Sequence, residues 1–174
     1  MSFEKTTVGN YWQERQQELE QHLATGNFNE FFKWGEVAIT MYVGHFPFVD
    51  VEYQALREKR PGWLELINEP GIGSPSYYPD TLTSPNLIHQ THHLMIWEET
   101  TGRKINELDT IFEFGGGYGA MRYVCHKLGF KGKYYIHDLS VYGQLQRTYL
   151  DKAAPEVFAS TNCGSVHFNP DLFI

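Results

Sequence analysis

The chain opens with helical patterning and closes with alternating strand and helix signals. Between Tyr11 and Leu23 a polar stretch carries Trp12, Leu19 and Leu23 on one stripe, which predicts an amphipathic helix. Asn29 can cap a second helix, whose Phe31, Phe32, Ala38 and Met41 fall on or near one face. Residues 50–57 read as a short helix ended by Pro61, and 63–67 as one more turn or an extended piece. Gly, Pro and Ser crowd 69–85, which predicts a loop and a boundary between a helical, aromatic-rich region (1–84) and a second unit (85–174). A well-delimited helix follows over 85–101: Ser84 suits the N-cap, Pro85 the first turn and Gly102 a left-handed stop. It is expected to pack on the sheet of the next strand.

That strand is an apolar run ending at Phe114, and it meets Gly115, Gly116, Gly117, Tyr118 and Gly119. Glycines there let the backbone turn sharply and approach a ligand that a Cβ would block. Met121, Val124, Cys125 and Leu128 then recur at helical spacing, so a helix runs from about 120 to 128 with Gly129 as its stop. Residues 134–136 make a second strand, and Asp138 stands at its carboxyl end. The result is a βαβ unit with an acid placed for ribose hydroxyls. Ser140 can cap a further helix through Leu150, and 157–160 are a candidate third strand.

Two nucleotide readings compete for the loop. Gly115, Gly117 and Ala120 fit the dinucleotide pattern G-x-G-x-x-G/A, with Asp138 on the adenosine ribose of NAD. Glu113, Gly115, Gly117 and Gly119 fit E-x-G-x-G-x-G instead, which resembles the first motif of class I S-adenosylmethionine methyltransferases. Glu113 favours the second reading. A carboxylate suits a ligand carrying a sulfonium and an ammonium, and it would repel a diphosphate.

The resemblance narrows over about a third of the chain. Residues 86–90 (Asn-Leu-Ile-His-Gln), the run from Ile111 through Gly119, residues 136–139 (Ile-His-Asp-Leu) and residues 145–150 (Leu-Gln-Arg-Thr-Tyr-Leu) are similar to a family of sugar O-methyltransferases. The resemblance implies a Rossmann-like α/β fold, a doubly wound parallel sheet preceded by a helical region. It also implies methyl transfer from S-adenosylmethionine to a sugar hydroxyl. The cofactor residues it implies are Glu113, Gly115, Gly116, Gly117, Tyr118, Gly119, Asp138 and Leu139, and the helix over 85–101 would help to wall the pocket. In that family the final Asp171–Leu172–Phe173–Ile174 resembles the start of a fourth strand. A sheet halting there would have an unpaired edge and an uncovered core, so aggregation, dimerisation through the edge, or a coding sequence that continues is expected. The acceptor half would be largely missing, so weak cofactor binding and poor turnover are expected, and no catalytic base is assigned.

Composition sets the outer limits. With 174 residues, 41% apolar and 20% charged, one core of respectable size is expected. A formal net charge of -7 without any basic cluster argues against nucleic acid or an anionic membrane as partner. Cys125 and Cys163 are far apart, Cys125 faces inward on its helix, and neither a leader nor a membrane-length apolar run is evident. A cytoplasmic enzyme is expected.

Several further residues remain. His89, His92 and His93 share a helix, and the spacings put His89 with either partner on one face, as a divalent metal would need. With no carboxylate at matching spacing, surface or pocket-lining roles are favoured and no metal is assigned; one of these histidines beside the cofactor would suit a base for the sugar hydroxyl. Tyr118 either covers the glycine turn or packs on the methionine part of the cofactor. His137 alternates to the other side of its strand and reads as structural. Most aromatic residues before position 100, including all four Trp, read as core. Tyr77 and Tyr78, in the loop, are the acceptor-site candidates.

Overall fold

The computed structural model describes residues 7–158 and 161–165. Five helices precede the first strand: α1 (Thr7–Thr25), α2 (Gly35–Thr40), α3 (Pro47–Lys59), α4 (Pro61–Leu66) and α5 (Pro85–Thr101). Then come β1 (Thr110–Phe114), α6 (Ala120–Lys127), β2 (Lys133–Asp138), α7 (Ser140–Ala153), α8 (Pro155–Phe158) and β3 (Thr161–Ser165). The three strands form a parallel sheet in the order β1-β2-β3, with Glu113 opposite Ile136 and Ile136 opposite Cys163.

Capping chemistry explains where the elements begin and end. Ser84 Oγ accepts from the Leu87 amide at 3.1 Å, Pro85 occupies the first turn, and Gly102 ends α5 at φ 68. Proline also opens α3, α4 and α8, because its fixed φ suits a first turn and its missing N–H has no partner to lose there. Thus α3 starts at Pro47, three residues before the expected 50. The second predicted helix splits: a single 3-10 turn at Phe31–Lys33 precedes α2, and Glu30 rather than Asn29 stands before it. Ser140 is the first residue of α7 and Leu139 is its cap.

The third strand is a correction. Pro155 initiates α8, and Val157, fully buried, belongs to that turn, so the strand begins only at Thr161. Residues 159–160 and the candidate fourth strand at 171–174 lie outside the described residues.

One core joins the two predicted units. Phe31 is completely buried, and its ring meets Phe28, Phe32, Trp34, Tyr118 and Tyr149 at centroid distances of 4.0–6.0 Å. The amino-terminal helices therefore pack onto the glycine loop and α7 rather than standing apart. Helix α5 packs chiefly on α3 and α6, and its Leu87 and Leu94 share the core with Tyr134 and Ile136 of the sheet. Arg122, buried on α6, lies over the rings of Phe130 and Tyr134. Cys125 is buried and free.

The sheet has unequal faces. Tyr134 and Ile136 are buried, whereas Phe112 and Phe114 are 54% and 75% exposed and cluster with Tyr135 and His137. Alternation along β1 and β2 puts the two sets on opposite sides. Among the described residues, this leaves an apolar face open, a mixed helical and α/β arrangement without the second helical layer of a doubly wound sheet. His137 points to that open face, as its place in the strand predicts. No helix of the described residues is long and apolar enough to cross a membrane.

Candidate functional site

β1 carries Glu113 to the carboxyl end of the sheet, the end where parallel α/β sheets bind ligands. The Gly115 amide donates to the His137 carbonyl at 2.9 Å, one step of pairing beyond β1, and the Gly119 amide donates to the Gly116 carbonyl at 2.8 Å, a tight turn that launches α6. Beside this turn is a cavity of about 430 Å³, within the usual range for small-ligand sites. Its wall combines Glu113, Gly115, Gly116, Gly117 and Tyr118 with Asn86, His89 and Gln90 of α5 and an apolar rim that includes Met41, Phe46 and Phe48. Among the described residues this wall holds one carboxylate, Glu113, and neither lysine nor arginine. A larger, shallower hollow of about 660 Å³ lies at the amino-terminal ends of β1 and β2, away from the loop and its chemistry.

The loop lies directly on the sheet. A Cβ added at Gly116 would stand 2.5 Å from Ile136 Cγ2, 3.3 Å from Glu113 Oε2 and 3.4 Å from Gln146 Nε2, so only a hydrogen fits. Glu113 is held beneath: the Tyr134 hydroxyl donates to its Oε2 at 2.9 Å. Burial lifts its carboxyl to about 7; the Tyr134 hydrogen bond pulls downward and the Asp138 charge pushes further up. Glu113 is therefore poised between neutral and charged forms near neutrality, and a cationic ligand alongside would favour the anion.

Asp138 stands close enough to Glu113 to affect its charge, but it buttresses the loop instead of facing the cavity. Its Oδ1 accepts from the Leu139 amide at 2.8 Å and its Oδ2 from Gln146 Nε2 at 3.0 Å. Burial raises this carboxyl, while the amides of Leu139, Gly117 and Gly116 and the Gln146 amide work the other way. Gln146 Nε2 also donates to the Gly117 carbonyl at 3.1 Å, so one side chain ties the acid to the loop. Gly119, Asp138 and Leu139 are not part of the cavity wall.

Tyr118 is 1% exposed, with its ring edge-on to Phe31, Phe32 and Tyr149, which makes it chiefly a cover for the turn. Asn86 fixes it: Nδ2 donates to the Tyr118 hydroxyl at 2.5 Å, and Oδ1 accepts from the Val43 amide at 3.0 Å. Neither Asn86 nor Gln146 emerged as a site residue from the sequence. The available signal was a buried amide at a core position of an amphipathic helix. The acceptor candidates Tyr77 and Tyr78 are not part of this wall: Tyr78 is buried, its hydroxyl donating to Asp50 at 2.8 Å and its ring against Tyr53, and Tyr77 is about half exposed. Phe46 and Phe48, stacked at 5.7 Å and about half exposed, provide the aromatic rim instead.

The histidines of α5 acquire the carboxylate that their own helix lacks. Glu52 of α3 accepts from His89 Nδ1 at 2.8 Å and 3.0 Å through its two oxygens. The His89 and His93 rings are 4.2 Å apart, and burial followed by the His89 charge holds His93 below its ordinary pKa.

No protein-family model matches the chain, and no curated protein does. Among solved structures it is similar to an uncharacterized ACR protein of the COG1565 superfamily from Burkholderia thailandensis, at 21% identity and a TM-score of 0.34, over 87% of this chain. The chain spans 36% of that protein's length.

Proposed function

We propose that the chain binds S-adenosylmethionine on its glycine loop and serves transfer of the methyl group to a sugar hydroxyl. One observation carries this reading: Glu113 and the bare backbone of Gly115–117 share a cavity wall that, among the described residues, has no lysine or arginine. Such a wall suits a ligand with positive charge and an apolar, flat portion better than a dinucleotide bearing a diphosphate. In this reading Glu113 takes the cationic end of the donor, Gly115, Gly116 and Gly117 let it approach the backbone, and the apolar rim excludes water. Asp138 lies outside the cavity wall, and its carboxylate keeps lone pairs beyond those taken by Leu139 and Gln146 with which to accept ribose hydroxyls. The bound donor would supply an electrophilic methyl group, and the protein's part is chiefly to hold the acceptor oxygen in line.

The parallel order β1-β2-β3, with α6 and α7 over the face bearing Tyr134 and Ile136, supports the finer assignment of a Rossmann-like sheet. The open face with Phe112 and Phe114 supports self-association of this chain in solution. Incubation with methyl-labelled S-adenosylmethionine and a panel of free sugars and glycosides tests the enzymatic reading. Label is expected in a sugar. Donor binding without transfer to any acceptor would make the chain a binding module, and no donor binding would end the proposal.

A further inference from the structure

Glu52 is a buried carboxylate, 9% exposed, in a wall between α3 and α5. Among the described residues its ion-pair partners are His89 and His92, the latter with Nδ1 3.5 Å from Glu52 Oε1. A buried anion needs a compensating charge, and neutral histidines supply none. The geometry of the cluster suits a cation. His89 and His93 are four residues apart on one helix, the spacing that lets two imidazoles meet one metal, and Glu52 arrives from a different helix to complete a His₂Glu set. One donor atom from each of the three lies within 4.8 Å of the other two. Tetrahedral bonds of about 2.0–2.1 Å place donors about 3.4 Å apart, little more than an ångström inside that spread. His92 Nδ1, buried without a hydrogen bond beside the same carboxylate, is outside this three-residue set.

We infer that Glu52, His89 and His93 form a binding site for a divalent transition-metal ion with the preferences of Zn²⁺. Imidazole and carboxylate suit Zn²⁺ better than Mg²⁺ or Ca²⁺, which take oxygen donors almost exclusively. Three protein ligands leave a coordination position open, as in catalytic rather than structural zinc sites. His89 also lines the cavity beside the glycine loop, so the ion would sit in the cavity wall. The inference does not depend on the identity of the methyl donor, because the ligand set stands on α3 and α5 alone.

The test is equilibrium dialysis of chelator-treated full-length chain against Zn²⁺, with Co²⁺ as a spectroscopic probe of ligand number and geometry. One ion per chain is expected, with a four-coordinate Co²⁺ spectrum. Glu52→Gln and His93→Gln should each weaken binding by more than about 100-fold, beyond the loss typical of a merely supporting residue. His93 is exposed, so its replacement keeps the test valid if Glu52→Gln fails to fold. His126→Gln, at an exposed ion pair with Glu156 elsewhere, should leave binding unchanged. No bound Zn²⁺, or Zn²⁺ binding undiminished in His93→Gln, would overturn the site and leave a metal-free Glu52–His89 pair.

Discussion

Replacing Glu113 by Gln keeps the shape of the side chain and removes its ability to ionise. In the folded protein the carboxyl titrates at about 7, against an ordinary 4.5, mainly because it is buried. Between those values the native state holds a proton that the unfolded chain has released, so stability falls as pH rises through this window. At about 1.36 kcal/mol per pH unit the separation corresponds to at most about 3 kcal/mol, fully developed above pH 7 and absent below about 4.5. Urea unfolding at pH 5 and pH 8.5 reads the difference directly. The wild type should lose stability between the two, and Glu113→Gln should lose up to about 3 kcal/mol less, making the variant the more stable protein at pH 8.5. Glu69, also buried and lifted to about 7, adds the same trend to both proteins and cancels in the comparison. Parallel pH profiles for the two proteins would show that Glu113 is ionised without penalty and refute the reasoning.

Three further outcomes follow from the packing. Gly116→Ala drives a methyl into Ile136 and Glu113, which should cost about 1–3 kcal/mol in urea unfolding and reduce donor affinity in a binding titration. Asn86→Ala strands the Val43 amide and the Tyr118 hydroxyl, a loss of about 1–3 kcal/mol; a melting temperature equal to wild type would contradict the network. Phe114→Lys charges the open sheet face, and sedimentation velocity should show less self-association than wild type at equal concentration.

Local chemistry was readable and distant contacts were not. Helix α5 was legible to the residue because a serine cap, a first-turn proline and a glycine stop each act within one turn. The loop was legible because glycines after an apolar strand have few other uses. Residues 161–165 (Thr-Asn-Cys-Gly-Ser) lack the apolar alternation that marks a strand, and they form β3 by pairing with β2; Val157, the more strand-like residue, is claimed by the proline-started turn. The Glu52–His89 contact bridges two helices far apart in sequence, so helical spacing on α5 alone pointed away from it. Met41, Phe46 and Phe48 reach the cavity from the amino-terminal region through tertiary packing, for which no motif exists.

Calorimetric titration of the purified chain with S-adenosylmethionine, and separately with NAD, tests the central claim most directly. Binding of S-adenosylmethionine, proton release near pH 6.5 as Glu113 ionises, and no heat with NAD are the predicted result. Heat with NAD and none with S-adenosylmethionine, or donor affinity unchanged in Glu113→Gln, would contradict it.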